Sequence, residues 1–200
     1  MINTVIFDIT GVLVSGGLDD MLVEKGFSKD IRERISKACS IPGVWDEFDK
    51  GIVGIEGAIK NFAMHDPELE PEIRETFSDL KGIVKKREYA IPWIRSLKES
   101  GYRVLVLSNF TLQGLDDNPF MREFLDETDG GIISYEVGRV KPDPEIYRLL
   151  MEKYDLNPQE CVFIDDMPQN IEMAKSLGIN GIVYKNYEQV QDELHSLLIN

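Results

Sequence analysis

Three apolar runs in this chain each end in side chains able to do chemistry. Asp8 follows NTVIF, Ser108 and Asn109 follow RVLVL, and the adjacent acids Asp165 and Asp166 follow CVFI. A fourth group lies in GRVKPDPEIY, where Lys141 precedes Pro142 and Asp143 precedes Pro144. Asp as N-cap with Pro at the first helical position predicts a helix start, and the two prolines stiffen the loop that carries Lys141. One carboxylate, a hydroxyl and amide, a lysine and an acidic pair suit the transfer of a phosphoryl group. A carboxylate attacking a phosphate is repelled unless a divalent cation and a lysine neutralise the charge. Two adjacent carboxylates are suitable oxygen donors for magnesium.

These residues are far apart in the chain, so the fold must gather them. Runs at 3–7, 103–107, 161–164 and 181–184 are short and aliphatic, which predicts buried parallel strands. Helical patterns at 90–100, 144–154 and 169–177 lie between them, the first and last ending at Gly101 and Gly178. This alternation predicts an α/β fold, a doubly wound parallel sheet whose strand carboxyl ends open on one crevice. Residues 17–86 break the rhythm with helical stretches at 18–25, 28–39, 43–49, 55–64 and 70–84 and no convincing strand. They read as a helical cap subdomain inserted into an α/β core made of 1–16 and 87–200.

Composition narrows the classes. At 200 residues the chain is long enough for one well-buried core, and its 42% hydrophobic and 29% charged residues are ordinary for a globular protein. A net charge of -14, spread along the chain, argues against nucleic acid as a partner. No apolar stretch is long enough for a membrane span, and the N-terminus lacks a signal pattern, so a cytoplasmic location is expected. Cys39 and Cys161 show no metal or disulfide spacing, and His65 and His195 are expected at the surface.

The segments FDITGVLV, VLSN, GRVKPDPEIY and FIDDMPQNIEMAKSLGI resemble, in order and spacing, motifs one to four of the haloacid dehalogenase superfamily of hydrolases. The insertion after the first motif is similar to the cap of the subfamily with a helical lid, and WDEFDKGIVGIEGAIKNF has a weaker likeness to sugar-phosphate phosphatases. The resemblance implies a Rossmann-like core and a magnesium-dependent phosphatase acting on a small-molecule phosphate ester. It implies Asp8 as nucleophile, forming an aspartyl-phosphate, with its other oxygen on the metal. Ser108 and the Asn109 backbone would hold phosphoryl oxygens, and Lys141 would balance charge between Asp8 and phosphate. Asp166, four residues before Asn170, matches the metal ligand, with Asp165 and Asn170 supporting it and the Thr10 carbonyl completing the metal set.

Thr10 departs from the pattern, because most phosphatases of the superfamily have a second aspartate there as general acid and base. A threonine hydroxyl has no suitable pKa for that task. Slowed turnover is therefore expected, most of all with poor leaving groups. Two alternatives follow from the same substitution: a weakened binding or regulatory module, and a phosphotransferase or mutase. Asp19 and Asp20, near the entry to the cap, are the acids considered as replacements. Trp45, Phe48 and Phe62 are expected to pack the cap rather than line a pocket. Receiver domains also phosphorylate an aspartate, but they place the acidic pair first in the chain and carry no inserted cap.

Overall fold

The computed structural model describes residues 1–198. Strand β1 (Thr4–Phe7) leads through a tight turn into a two-residue strand β2 (Val14–Ser15). Helices α1 (Leu18–Glu24), α2 (Lys29–Cys39), α3 (Asp46–Asp49), α4 (Ile55–Ala63) and α5 (Glu70–Thr76) follow, and β3 (Lys85–Lys86) closes the excursion. The remainder alternates: α6 (Ala90–Glu99), β4 (Arg103–Ser108), α7 (Leu112–Asp117), α8 (Phe120–Glu127), β5 (Gly131–Ile133) and α9 (Ser134–Val137). Then come α10 (Pro144–Tyr154), β6 (Cys161–Asp165), α11 (Pro168–Ser176), β7 (Asn180–Val183) and α12 (Tyr187–Leu198).

Five strands form one parallel sheet in the order β5-β4-β1-β6-β7. Successive side chains on a strand face opposite sides, so an all-apolar strand serves two cores at once. Val5, Phe7, Val104, Val106, Val162 and Ile164 pack on one side against Trp93 and Leu97 of α6 and Val190 and Leu194 of α12. Ile6, Leu105, Leu107 and Phe163 pack on the other against Ile146 and Leu150 of α10 and Ile171 of α11.

The register places the chemistry. Phe7 pairs with Val106 on one side and with Ile164 on the other. Asp8 and Asp165 come next along β1 and β6, and Ser108 stands two positions beyond Val106 at the end of β4, so all three emerge at the carboxyl edge of the three central strands. This is where the connections diverge to opposite halves of the sheet and a crevice opens.

Helices α1–α5 enclose a separate core that includes Met21, Leu22, Ile35, Phe48, Ile59, Phe62, Ile73 and Phe77. Phe62 and Phe77 stack at 4.6 Å between centroids, and Trp45 leans on Phe62 at 4.8 Å. The expected packing of Phe48 and Phe62 thus holds, while Trp45 stays half-buried.

Three expectations need correction. The helix expected over 70–84 stops at Thr76, since Phe77 and Leu80 turn into the cap core and Gly82 adopts φ 77. The helix expected over 43–49 begins only at Asp46. The insertion also contains a strand: β3 pairs antiparallel with β2, Val14 opposite Lys86 and Ser15 opposite Lys85. This two-stranded ladder carries the chain out to the helices and back, and two residues are too few for any periodicity to reveal. Strand β5, three residues beginning with glycine, escaped for the same reason.

Candidate active site

Asp8 caps the central strand. Its backbone N donates to Ile164 O at 2.8 Å, and its Oδ1 accepts from Ile9 N at 2.7 Å. The carboxylate is buried against Lys141, whose Nζ stands 2.9 Å from Asp8 Oδ1 and 2.6 Å from Asp165 Oδ2. Lys141 itself is almost wholly enclosed. Burial alone would drive its ammonium toward neutrality, but Asp8 and Asp165 overcome this and raise its pKa, so it stays cationic. Burial pushes the Asp8 carboxyl above its ordinary range; Lys141 opposes the rise and Asp165 adds to it.

The loop carrying Lys141 is held from the neighbouring strand end. Lys141 N donates to Asn109 Oδ1 at 2.7 Å, and Asn109 Nδ2 donates back to Lys141 O at 3.0 Å. On the far side, Asp143 caps α10 as expected, accepting from Glu145 N at 2.9 Å ahead of Pro144. The Asn109 side chain therefore has a positioning task that the sequence did not reveal.

The acidic pair divides. Asp165, fully buried, accepts from Lys141, from Asn170 Nδ2 at 3.0 Å to each oxygen, and from Met167 N at 2.8 Å. Asp166 is half-buried and forms no ion pair among the described residues; burial and Asp165 raise its pKa. Carboxylate oxygens of Asp8, Asp165 and Asp166 lie within 4.8 Å of one another. When ionised, these three acids exceed the single charge of Lys141 by two, which is the charge and donor chemistry that a hard divalent cation satisfies. Gly11 makes room for them. It adopts φ +84, and a Cβ there would fall 2.5 Å from Asp166 Oδ2. Arg87 fastens that turn by donating from Nη2 to Gly11 O at 3.2 Å.

Among the described residues, two hydroxyls at this edge are buried without a hydrogen-bond partner: Ser108 Oγ and Thr10 Oγ1. An unmet buried hydroxyl is costly in a finished core and suits a site that receives polar atoms.

A cavity of about 180 Å³ opens between this edge and the cap, with Thr10, Asn109 and Phe110 on the core side and Leu18, Trp45 and Asp49 on the cap side. Asp49 was not foreseen from the sequence. Its carbonyl accepts from Ser134 Oγ at 2.6 Å, and that oxygen in turn accepts from Phe110 N at 3.0 Å, tying α3 to the core. Its carboxyl is pushed up to about 7 by burial, with Asp46 adding to the shift and Lys141 opposing it. Asp19 and Asp20, considered as replacement acids, face away. Their side chains are 70% and 54% exposed and pair with Arg32 and Lys85. His65 and His195 are exposed, Cys39 and Cys161 are free and buried, and no described helix is long and apolar enough to cross a membrane.

The sequence matches the haloacid dehalogenase-like hydrolase family over residues 2–178. It is 27% identical over 169 residues to flavin mononucleotide hydrolase 1 of Arabidopsis thaliana, covering 81% of this chain and 65% of that protein. The chain thus spans less than two thirds of that relative. It is 27% identical over 209 residues to D-ribitol-5-phosphate phosphatase of Bacteroides thetaiotaomicron, covering 99% of each. In fold it resembles the crystal structure of a wild-type HAD family enzyme from Bacteroides thetaiotaomicron in complex with magnesium and inorganic phosphate. The TM-score is 0.69 at 20% identity, over 92% of this chain and 95% of that one.

Proposed function

Since the chain belongs to the haloacid dehalogenase-like hydrolase family, we propose that it is a magnesium-dependent phosphatase that cleaves small phosphate esters through an aspartyl-phosphate on Asp8. The observation that carries this reading is Lys141 Nζ held between Asp8 and Asp165, with Asp166 beside them free of any ion pair among the described residues. A buried ammonium among three acids is an expensive arrangement for a scaffold, because each ion loses its hydration. It suits a pocket that receives a dianionic phosphate and a cation together.

In this reading an Asp8 oxygen attacks phosphorus as the bond to the leaving oxygen breaks. Water then attacks the same phosphorus and releases Asp8 and inorganic phosphate. Ser108 Oγ, lacking a partner, donates to a phosphoryl oxygen alongside the Asn109 backbone N. Lys141 offsets the charge where carboxylate and phosphate meet, Asp165 and Asn170 fix Lys141 in place, and Asn109 holds the lysine loop. Asp8, Asp166 and the Thr10 carbonyl would hold magnesium, which supplies charge neutralisation between nucleophile and phosphate when bound. Relatives named for D-ribitol 5-phosphate and flavin mononucleotide point to phosphates of alcohols as the substrate class.

Thr10 cannot exchange a proton near neutrality. Without another donor, steps that need proton transfer fall by about 10² to 10⁴-fold, while aryl phosphates with good leaving groups are less affected. The test is turnover of 4-nitrophenyl phosphate with magnesium. Wild type should be active and lose activity with EDTA, and Asp8→Asn should sit at background. Equal rates in both proteins would favour a binding module instead.

A further inference from the structure

We propose that Asp49, on the cap helix α3, is the general acid and base of this site and takes the part that Thr10 cannot. This rests on the phosphatase reading above. Asp49 is the single titratable side chain among the residues lining the cavity that joins the cap to Thr10 and Asn109; the rest of that wall is glycine, aliphatic and aromatic residues, threonine and asparagine. Among the described residues its carboxyl has no hydrogen bond and no ion pair, unlike neighbouring Asp46, which meets Lys50 at 3.4 Å. Its backbone is pinned to the core through Ser134 Oγ at 2.6 Å, so the cap delivers this residue to a fixed place when seated.

The charged groups that act on Asp49 are Asp46 on its own helix and Lys141 from the core. Burial outweighs both, and a carboxyl poised near neutrality can give and take a proton at working pH. The balance is simple. As the Asp8 oxygen bonds to phosphorus, the pair of the breaking P–O bond goes to the leaving oxygen, which takes the Asp49 proton and departs as an alcohol. Asp49, now a carboxylate, takes a proton from the water whose oxygen attacks phosphorus. Asp8 and inorganic phosphate are released, and the acid is restored.

The experiment measures kcat/KM for 4-nitrophenyl, phenyl and 4-methoxyphenyl phosphate with magnesium in wild type, Asp49→Asn, Asp49→Glu, Thr10→Asp and the double variant Thr10→Asp with Asp49→Asn. Asp49→Asn should lose about 10²-fold or more on the two poor leaving groups and under about ten-fold on 4-nitrophenyl phosphate. Thr10→Asp in the Asp49→Asn background should restore at least about ten-fold on phenyl phosphate, which a merely structural role for Asp49 would not allow. Asp49→Glu, which keeps the acid, should stay within about ten-fold of wild type on all three. Asp49→Asn with an unchanged dependence on leaving group, or an equal loss on all three esters that Thr10→Asp does not relieve, would overturn the proposal. Asp8→Asn is run alongside, and wild-type activity in that variant would instead overturn the phosphatase reading itself.

Discussion

Asn109, just past the end of β4, and Lys141, in the loop between α9 and α10, grip one another by two opposed hydrogen bonds, Lys141 N to Asn109 Oδ1 at 2.7 Å and Asn109 Nδ2 to Lys141 O at 3.0 Å. The pair sets where the lysine loop stands relative to β1, and so whether Nζ reaches Asp8.

Removing that grip should act through Lys141. Each lost hydrogen bond that leaves a buried partner unmet costs about 1–3 kcal/mol. Asn109→Ala is expected to lower kcat on 4-nitrophenyl phosphate by about ten- to a hundred-fold, since about 1.4 kcal/mol is tenfold in rate. Combining it with Lys141→Ala should add little further loss. A double-mutant cycle on kcat checks this, and strict additivity would separate the two residues.

Gly11 is expected to govern metal affinity. A side chain at φ +84 is strained, and its Cβ would land 2.5 Å from Asp166 Oδ2. Gly11→Ala should therefore displace Asp166 and weaken magnesium binding by about 10–100-fold, the usual effect of disturbing a ligand's support. Calorimetric titration with magnesium reads it directly.

The Asp49 carboxyl also leaves a mark on stability. Its folded pKa, about 7, lies above the ordinary value of 3.8, so the native state binds this proton more tightly than the unfolded chain does. The favourable contribution is complete below pH 3.8 and is lost as pH rises through about 7. Asp49→Asn imitates the protonated form. Its melting temperature should match wild type near pH 4 and exceed it increasingly up to about pH 7, then hold a constant advantage. Melts of both proteins across that range without metal check the sign.

Much of the site could be read in the sequence because strands announce it. Asp8, Ser108 and Asp165 each interrupt an apolar run, and a parallel sheet carries such interruptions to one edge without any local motif. Lys141 stood out because prolines fix its loop. The helical insertion was legible as a break in alternation, but β2 and β3 were not, being held by pairing rather than by pattern. Asp49 was hidden for a different reason. It is one of three acids in the four-residue helix DEFD, and which of them faces inward depends on how the cap sits on Ser134, a contact between residues 85 positions apart. Asp19 and Asp20, the acids that the sequence offered as replacements, are bound to surface cations instead.

The cap core should be a unit of stability in its own right. Phe62 is fully buried and stacked on Phe77 at 4.6 Å, so Phe62→Ala is expected to cost about 3–5 kcal/mol. Denaturant titration measures it. A loss under about 1 kcal/mol would mean that the cap helices rely on the core domain rather than on their own packing.

The most direct measurement of the central claim is the mass of the protein quenched in acid during turnover of 4-nitrophenyl phosphate with magnesium, followed by peptide mapping. Wild type should carry one phosphoryl group on the peptide containing Asp8, and Asp8→Asn should carry none and release no nitrophenolate. A phosphoryl group on any other residue, or undiminished nitrophenolate release by Asp8→Asn, would contradict the account.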